Sequence, residues 1–86
     1  MSRYRVALTA SAERELHGLP AKLVARIISR LEDLAETPRP SGCKKLKGGG
    51  KEWRVRVGDY RIVYEIDDEG QTVDVTRLAH RREAYQ

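Results

Sequence analysis

The spacing of apolar residues changes abruptly along the chain, and this change limits the folds that the sequence can adopt. In the first half, apolar side chains recur at three- and four-residue intervals, the pattern of a helix with one apolar face. After residue 52 the interval becomes two, the pattern of strands with one buried face. The order of these patterns predicts an α+β fold in which helices cover one face of an antiparallel sheet.

A strand at residues 4–8 precedes two predicted helices, which together form a helical hairpin. Thr9 or Ser11 can cap the first helix, and Gly18 ends it. Pro20 suits the first turn of the second helix, and a Thr-Pro-Arg-Pro run ends that helix. The apolar stripe of the second helix consists of Leu23, Val24, Ile27, Ile28, Leu31, Leu34 and Ala35.

Three strands of an antiparallel meander are predicted after a loop at residues 38–51 that is rich in Gly, Pro and Lys. The strands cover residues 53–57, 60–66 and 72–76, with a second turn at residues 67–70. Gly-Asp at residues 58–59 suits a two-residue type II′ turn, because glycine accepts the positive φ at its first position.

This turn sets the register of the first hairpin and therefore decides which side chains share a face. The face beneath the helices is predicted to carry the pairs Val57–Tyr60, Val55–Ile62 and Trp53–Tyr64. On the other face Arg56 lies opposite Arg61 and Arg54 lies opposite Val63, so the three guanidinium groups are expected to converge on an exposed surface. Like charges across strands are mildly destabilising, whereas a polyanion would relieve the repulsion.

The distribution of charge carries more information than its total. The chain has 86 residues, with 17 Lys and Arg against 13 Asp and Glu, a net charge of only +4. Further basic residues flank the predicted arginine face in the loop and at the chain end: Lys44, Lys45, Lys47, Lys51, Arg77, His80, Arg81 and Arg82. This clustering favours nucleic-acid binding. The alternative is an ordinary solvated strand face, partly neutralised by Glu65 and Asp74.

Length and composition exclude several other classes. A chain of 86 residues predicts a single domain, residues 1–86, with little room for an enclosed cofactor. Its single cysteine and two histidines offer no internal disulfide and no Cys/His metal site. The sequence shows neither a membrane-spanning apolar run nor a signal peptide, so a cytoplasmic protein without membrane contact is expected.

Four sequence blocks resemble the RelE/ParE toxin superfamily, and the resemblance covers essentially the whole chain. The more specific ones are Gly-Asp-Tyr-Arg-Ile-Val-Tyr at residues 58–64 and His-Arg-Arg-Glu-Ala-Tyr at residues 80–85. Lys-Leu-Lys-Gly at residues 45–48 and Trp-Arg-Val-Arg-Val at residues 53–57 add to it. Members of the RelE branch are toxins of type II toxin–antitoxin pairs. The resemblance implies an endoribonuclease that cleaves mRNA in the ribosomal A site without a metal or other cofactor. The ribose 2′-hydroxyl attacks the adjacent phosphate and leaves a 2′,3′-cyclic phosphate.

The resemblance also assigns roles to individual residues of the strands. Arg61 matches a nearly constant strand arginine and is expected to stabilise the phosphate. Arg54 and Arg56 stand where well-studied RelE members carry lysine. Arginine keeps the positive charge but does not lose its proton, so proton transfer by a lysine at these positions would not survive here.

At the chain end, Arg81 matches a C-terminal arginine that contacts the phosphate or the leaving group. Tyr85 matches a terminal tyrosine that stacks on a base or transfers a proton. His80 is a further catalytic candidate because imidazole titrates near neutral pH. The residues assigned to RNA and ribosome binding are Lys44, Lys45, Lys47, Lys51, Arg77 and Arg82.

The partners implied by the resemblance are a RelB-like antitoxin, mRNA with the ribosome, and operator DNA reached through the antitoxin. Two alternatives to a nuclease remain open on the sequence. A ParE-like toxin would inhibit DNA gyrase by protein–protein contact, and a nucleic-acid-binding module would need the basic face without catalysis. The strand arginines, Arg81 and Tyr85 are all present at the positions that the resemblance to RelE toxins assigns to catalysis, and this favours the nuclease.

Overall fold

The computed structural model describes residues 3–46 and 51–80. Within these residues the element order is strand, two helices and four strands, in agreement with the predicted α+β class. The helices are α1 (Ala10–His17) and α2 (Ala21–Glu36). The strands are β1 (Arg5–Leu8), β2 (Lys44–Lys45), β3 (Glu52–Val57), β4 (Tyr60–Asp67) and β5 (Thr72–His80).

The helix boundaries follow local sequence signals. The hydroxyl of Thr9 accepts a hydrogen bond from the Ala12 amide at 3.2 Å, so Thr9 and not Ser11 caps α1. Gly18 forms the C-cap of α1, and Pro20 stands immediately before the first residue of α2. No helix among the described residues is long and apolar enough to cross a membrane.

One face of α2 supplies the centre of the core. Ile27 and Leu34 are completely buried, and they pack with Ile62, Tyr64 and other inward-facing residues of the sheet. Ile28 departs from the prediction, since it is 44% exposed at the margin of the apolar stripe. The stripe predicted from spacing is therefore wider than the surface that the sheet covers, because one sheet face contacts only part of a helix circumference.

The five strands form one sheet in the order β1-β5-β4-β3-β2. β1 pairs in parallel with β5, and the other neighbours are antiparallel. The sequence predicted β1 but not its place beside β5, which depends on contacts between the two ends of the chain. The two residues of β2 were predicted as loop. They pair with Trp53 and Arg54, and two residues are too few to show an alternating pattern.

Tyr64 connects the sheet to the segment after α2. Its ring is fully buried and its hydroxyl donates a hydrogen bond to the Pro38 carbonyl at 2.8 Å. Burial raises the pKa of the Tyr64 hydroxyl well above its ordinary value, so the group remains a hydrogen-bond donor.

A polar cluster joins three separate segments at the end of the sheet distant from the first hairpin turn. Arg39 forms two hydrogen bonds with the Asp68 carboxylate, at 3.2 and 2.9 Å, and Tyr4 donates a third at 2.7 Å. The Arg39 guanidinium also lies 5.2 Å from the centre of the Trp53 ring. These contacts attach the segment that leads into β2 to the β4–β5 turn and to the N-terminal strand.

The Arg39 and Tyr4 hydrogen bonds lower the pKa of Asp68 to about 2. The folded pKa lies below the ordinary value, so Asp68 contributes stability above pH ~4 and loses it as the pH falls toward 2. In an NMR titration we expect the Asp68 carboxyl to titrate near pH 2, and Arg39→Gln to move its midpoint upward. An unchanged midpoint in Arg39→Gln would show that the cluster does not form in solution.

Candidate functional site

The register predicted for the β3–β4 hairpin is confirmed. Val57 pairs with Tyr60, Arg56 pairs with Arg61, and the remaining pairs follow in the predicted order. Gly58 has a φ of +59°, and it is the only one of the two turn residues with a positive φ, as a type II′ turn requires. The face that points away from the helices therefore carries the arginines that alternate with apolar residues along β3 and β4.

A bulge in β5 brings a further arginine to this face. Val63 pairs with Arg77 but Tyr64 pairs with Val75, so Thr76 is an extra residue in β5. The Thr76 hydroxyl donates to the Val63 carbonyl at 3.3 Å. Strict alternation from Val75 would have turned Arg77 toward the core.

Side chains of the first helix and its cap support β5 where β1 no longer pairs with it. Beyond Val75, the Thr9 hydroxyl donates to the Thr76 carbonyl at 3.3 Å. The Leu78 amide donates to the Glu15 carboxylate at 2.9 Å. These two contacts satisfy β5 backbone groups on both sides of Arg77 and hold the bulged segment in place.

A groove of about 700 Å³ crosses the basic face, and we call it the basic groove. Its polar and charged lining consists of Lys44, Lys45, Glu52, Arg54, Arg61, Thr76 and Arg77. Five of these side chains are cationic and one is a carboxylate, so the groove suits a polyanion. Leu46, Val63 and Ala79 complete the lining.

Arg61 lies deeper than the sequence indicated. It was expected on an exposed surface, but only 4% of the residue is accessible to solvent. β4 is the central strand of the sheet, so neighbouring strands surround Arg61 from both sides, with Arg56 and Ala79 directly opposite. An arginine in this position has lost most of its hydration, which strengthens its interaction with a bound anion.

The prediction that Arg54, Arg56 and Arg61 share one face of the sheet is confirmed by the register, in which Arg56 pairs directly with Arg61. Arg54 and Arg61 line the basic groove, and the third arginine there is Arg77. Arg56 is exposed and lines two further pockets, on the side of β3 that approaches α2. β2 pairs with Trp53 and Arg54 but not with Arg56, so no described strand lies beside Arg56 on the outer side of β3.

His80 was grouped with the basic residues, but the structure places it on the helix side of the sheet. It pairs with Tyr60, and the two rings meet edge to face with centroids 5.2 Å apart. Arg61 and Ala79 form the adjacent pair and therefore point to the opposite face. His80 and Arg61 thus do not share the basic groove.

The aromatic residues predicted as core differ in their burial. Tyr64 is fully buried, as predicted. Trp53 is only half-buried, packs against the core and lies beneath Arg39. Tyr60 is also half-buried, with His80 against its ring. Both residues nevertheless lie on the predicted side of the sheet.

The other predicted binding residues divide into two groups. Lys44 and Lys45 line the basic groove because β2 places them beside β3. Lys51 is exposed and does not line it. Four predicted site residues lie outside the described part of the chain: Lys47, Arg81, Arg82 and Tyr85.

Two residues of the basic groove were missed from the sequence. Glu52 precedes Arg54 by two positions, so the strand alternation already indicated that it shares the arginine face. Its carboxylate is the acidic group of the groove lining and can accept a proton. Thr76 reaches the groove through the β5 bulge, for which the sequence contains no clear signal.

Comparison with known proteins agrees with the fold and the sequence blocks. Residues 6–85 match the family profile described as the ParE toxin of the type II toxin–antitoxin system parDE. The chain is 35% identical to toxin RelG of Mycobacterium tuberculosis over 83 residues, covering 95% of each chain. It is 37% identical to toxin RelE of the same organism, covering 95% of this chain and 86% of that one.

Solved structures show the same similarity. The RelBE2 toxin–antitoxin complex of Mycobacterium tuberculosis contains a chain with 36% identity and a TM-score of 0.82, with coverage of 92% of this chain and 99% of that chain. The archaeal RelE–RelB complex of Pyrococcus horikoshii gives a TM-score of 0.82 at 27% identity, covering 92% and 96% of the two chains. The matched profile, the sequence relatives and the shared fold together show that this chain belongs to the RelE/ParE toxin family of type II toxin–antitoxin systems.

Proposed function

We propose that this toxin is an endoribonuclease that cleaves mRNA in the ribosomal A site and thereby inhibits translation. The observation that carries the proposal is the basic groove, in which buried Arg61 lies among four further cations. A groove in which five cations, including buried Arg61, line one cavity suits the phosphates of a polyanion. A ribosomal target places the proposed activity in the cytoplasm.

The reaction forms a bond between the ribose 2′-oxygen and the adjacent phosphorus, and it breaks the bond from phosphorus to the 5′-oxygen. The products are a 2′,3′-cyclic phosphate and a 5′-hydroxyl. A base must take the 2′-hydroxyl proton, cations must stabilise the phosphorane, and an acid must protonate the departing 5′-oxygen.

The groove residues match two of these requirements. Arg61, Arg54 and Arg77 offer charge-assisted hydrogen bonds to the non-bridging phosphate oxygens. Arginine does not act as a base, so we assign the proton acceptor to the Glu52 carboxylate. Proton donation to the 5′-oxygen is assigned to Tyr85, and contact with the phosphate or the leaving group is assigned to Arg81, as the family resemblance implies.

The remaining cations are assigned to binding. Lys44 and Lys45 contact the phosphates of the RNA strand or of rRNA from the rim of the groove. Lys47, Lys51 and Arg82 are assigned to the same binding role, as predicted from the sequence. His80 is excluded from the proton-transfer steps because it faces the helix side with Tyr60.

A RelB-like antitoxin is the proposed regulatory partner. The similar structures from Mycobacterium tuberculosis and Pyrococcus horikoshii are complexes with RelB antitoxins. An antitoxin that covers the basic groove would exclude RNA by steric block and charge neutralisation. Operator DNA would then be bound by the toxin–antitoxin complex through the antitoxin.

The test uses ribosomes that carry a defined mRNA. Addition of the purified toxin is expected to produce discrete cleavage within the A-site codon, with 2′,3′-cyclic phosphate and 5′-hydroxyl ends. The same mRNA without ribosomes is the matched control and shows whether the ribosome is required.

A ParE-like inhibitor of DNA gyrase is the second candidate function, because the matched family profile is that of ParE toxins. A supercoiling assay with purified gyrase tests it directly. Arrest of gyrase together with intact mRNA on ribosomes would contradict the nuclease proposal.

A further inference from the structure

A second group of cations lies outside the basic groove, where the open edge of β3 approaches α2. Arg26 and Arg30 of α2 and Arg56 of β3 form this group, which we call the edge cluster. Two adjoining pockets of about 370 and 480 Å³ contain these side chains. Asp33 supplies a carboxylate to the larger of the two pockets.

Within residues 3–46 and 51–80, the outer side of β3 is only partly paired. β2 pairs with β3 only at Trp53 and Arg54. Among the described residues no strand lies beside residues 55–57 of β3 on the outer side. Arg26 and Arg56 are exposed there and are accessible to a ligand that approaches along the side of the sheet, whereas Val55 and Val57 are buried.

The arrangement of the cluster is unfavourable for the isolated protein. Arg26 and Arg30 are separated by one helical turn, and like charges at this spacing destabilise a helix. The Nε atom of Arg30 is buried and has no hydrogen-bond partner among the described residues. Its Nη1 atom lies 3.9 Å from the Asp33 carboxylate, too far for a hydrogen bond. An anionic ligand would compensate these costs.

The edge cluster is continuous with the basic groove. Lys44 and Arg54 line both the groove and the first edge pocket, and Arg30 and Arg56 line both edge pockets. The cations thus continue without a gap from the groove floor around β3 to α2. At the far end, Arg26 approaches the hairpin turn, since a Cβ placed on Gly58 would lie 3.4 Å from its Nη1 atom.

We propose that an RNA strand held in the basic groove continues around the edge of β3, where Arg26, Arg30 and Arg56 bind its phosphates. The proposal deepens the proposed function, because it rests on RNA as the ligand of the groove. It assigns Arg56 to strand binding and not to the chemical step. The edge cluster then lengthens the bound segment of RNA without contacting the scissile phosphate.

The experiment measures RNA affinity as a function of salt concentration. The probes are two single-stranded 2′-O-methyl RNAs, which lack the attacking hydroxyl, of about four and about sixteen nucleotides. The test variant is Arg26→Gln/Arg30→Gln. Its matched control is Arg5→Gln/Arg14→Gln, which removes the same charge from exposed positions on β1 and α1. Thermal melting confirms that each variant is folded.

For the long RNA we expect the test variant to reduce the slope of log K against log salt by about 1.4, since each lost phosphate contact contributes about 0.7 for a single strand. The short RNA is held by the groove, so its affinity should change equally little in the test variant and the control. Arg54→Gln, which alters the groove, should weaken both RNAs.

Equal salt slopes for the test variant and its control with the long RNA would overturn the proposal. A test variant that keeps its RNA affinity but loses affinity for the antitoxin would make the cluster a protein interface, which also overturns it. The proposed nuclease fails separately if the wild-type protein binds RNA with the expected slope but does not cleave mRNA on ribosomes. A wild-type protein that binds neither RNA overturns the edge-cluster proposal, whereas the nuclease is decided by cleavage of mRNA on ribosomes.

Discussion

Replacing Arg61 with glutamine is expected to lower the rate of mRNA cleavage on ribosomes by about 10²–10³-fold, the loss typical of removing one preorganised donor from a developing oxyanion. Arg61 is 4% exposed and lies in the floor of the basic groove, so water competes little with the phosphate for its guanidinium. Glutamine retains a hydrogen-bond donor but loses the charge that the phosphorane requires.

Two further variants sharpen this prediction. Arg61→Lys keeps the charge but not the forked geometry, so it should recover only part of the rate. Arg14→Gln removes a charge from the exposed surface of α1 and should leave the rate unchanged. Circular dichroism and thermal melting confirm that each protein is folded. Wild-type cleavage by Arg61→Gln would contradict the assignment of Arg61 to the phosphate.

Replacing Leu34 with alanine is expected to reduce the free energy of unfolding by about 3 kcal/mol. Leu34 is fully buried at the centre of the contact between α2 and the sheet, where the truncated side chain leaves a cavity. A domain of this size has about 5–15 kcal/mol of stability in total, so the loss is a large share of it. The melting temperature should fall by more than about 10 °C.

Ile28→Ala is the matched control, because it lies on the same helix and also removes aliphatic carbons. Ile28 is 44% exposed, so its truncation should cost less than about 1 kcal/mol. Urea denaturation of both variants measures the difference. Equal losses would mean that α2 packs on the sheet with a different face from the one described.

Local sequence signals predicted most of the secondary structure, because each depends on a few neighbouring residues. The Thr9 cap, the Gly18 end of α1 and the Gly58-Asp59 turn are local features of this kind. The pairing of β3 with β4 followed from the two-residue turn, since a hairpin register is set by its loop. The helical period of α2 predicted its buried side except at Ile28, where the extent of the sheet decides exposure.

The candidate site was less predictable because it combines strands that are not linked by short turns. The hairpin alternation placed Arg54 and Arg61 on one face, and both line the basic groove. Arg77 joined them only through the extra residue Thr76, and strict alternation would have excluded it. The sequence block that contains His80 suggested that His80 lies near the arginines. Side chains alternate between the two faces along β5, however, and this alternation places the His80 ring on the helix side, against Tyr60.

The sequence by itself determined the α+β class, the order of the helices and the main strands, and the shared face of Arg54 and Arg61. These features depend on periodicity and on one tight turn, both of which act over short distances along the chain. Only the tertiary structure decided the burial of Arg61, the arrival of Arg77 in the groove, and the place of Arg56 in the pockets at the β3 edge. These three features depend on the order of the strands in the sheet, on the β5 bulge and on the point where β2 ends. Such relations join segments that are distant along the chain, so they leave no repeating pattern in the sequence.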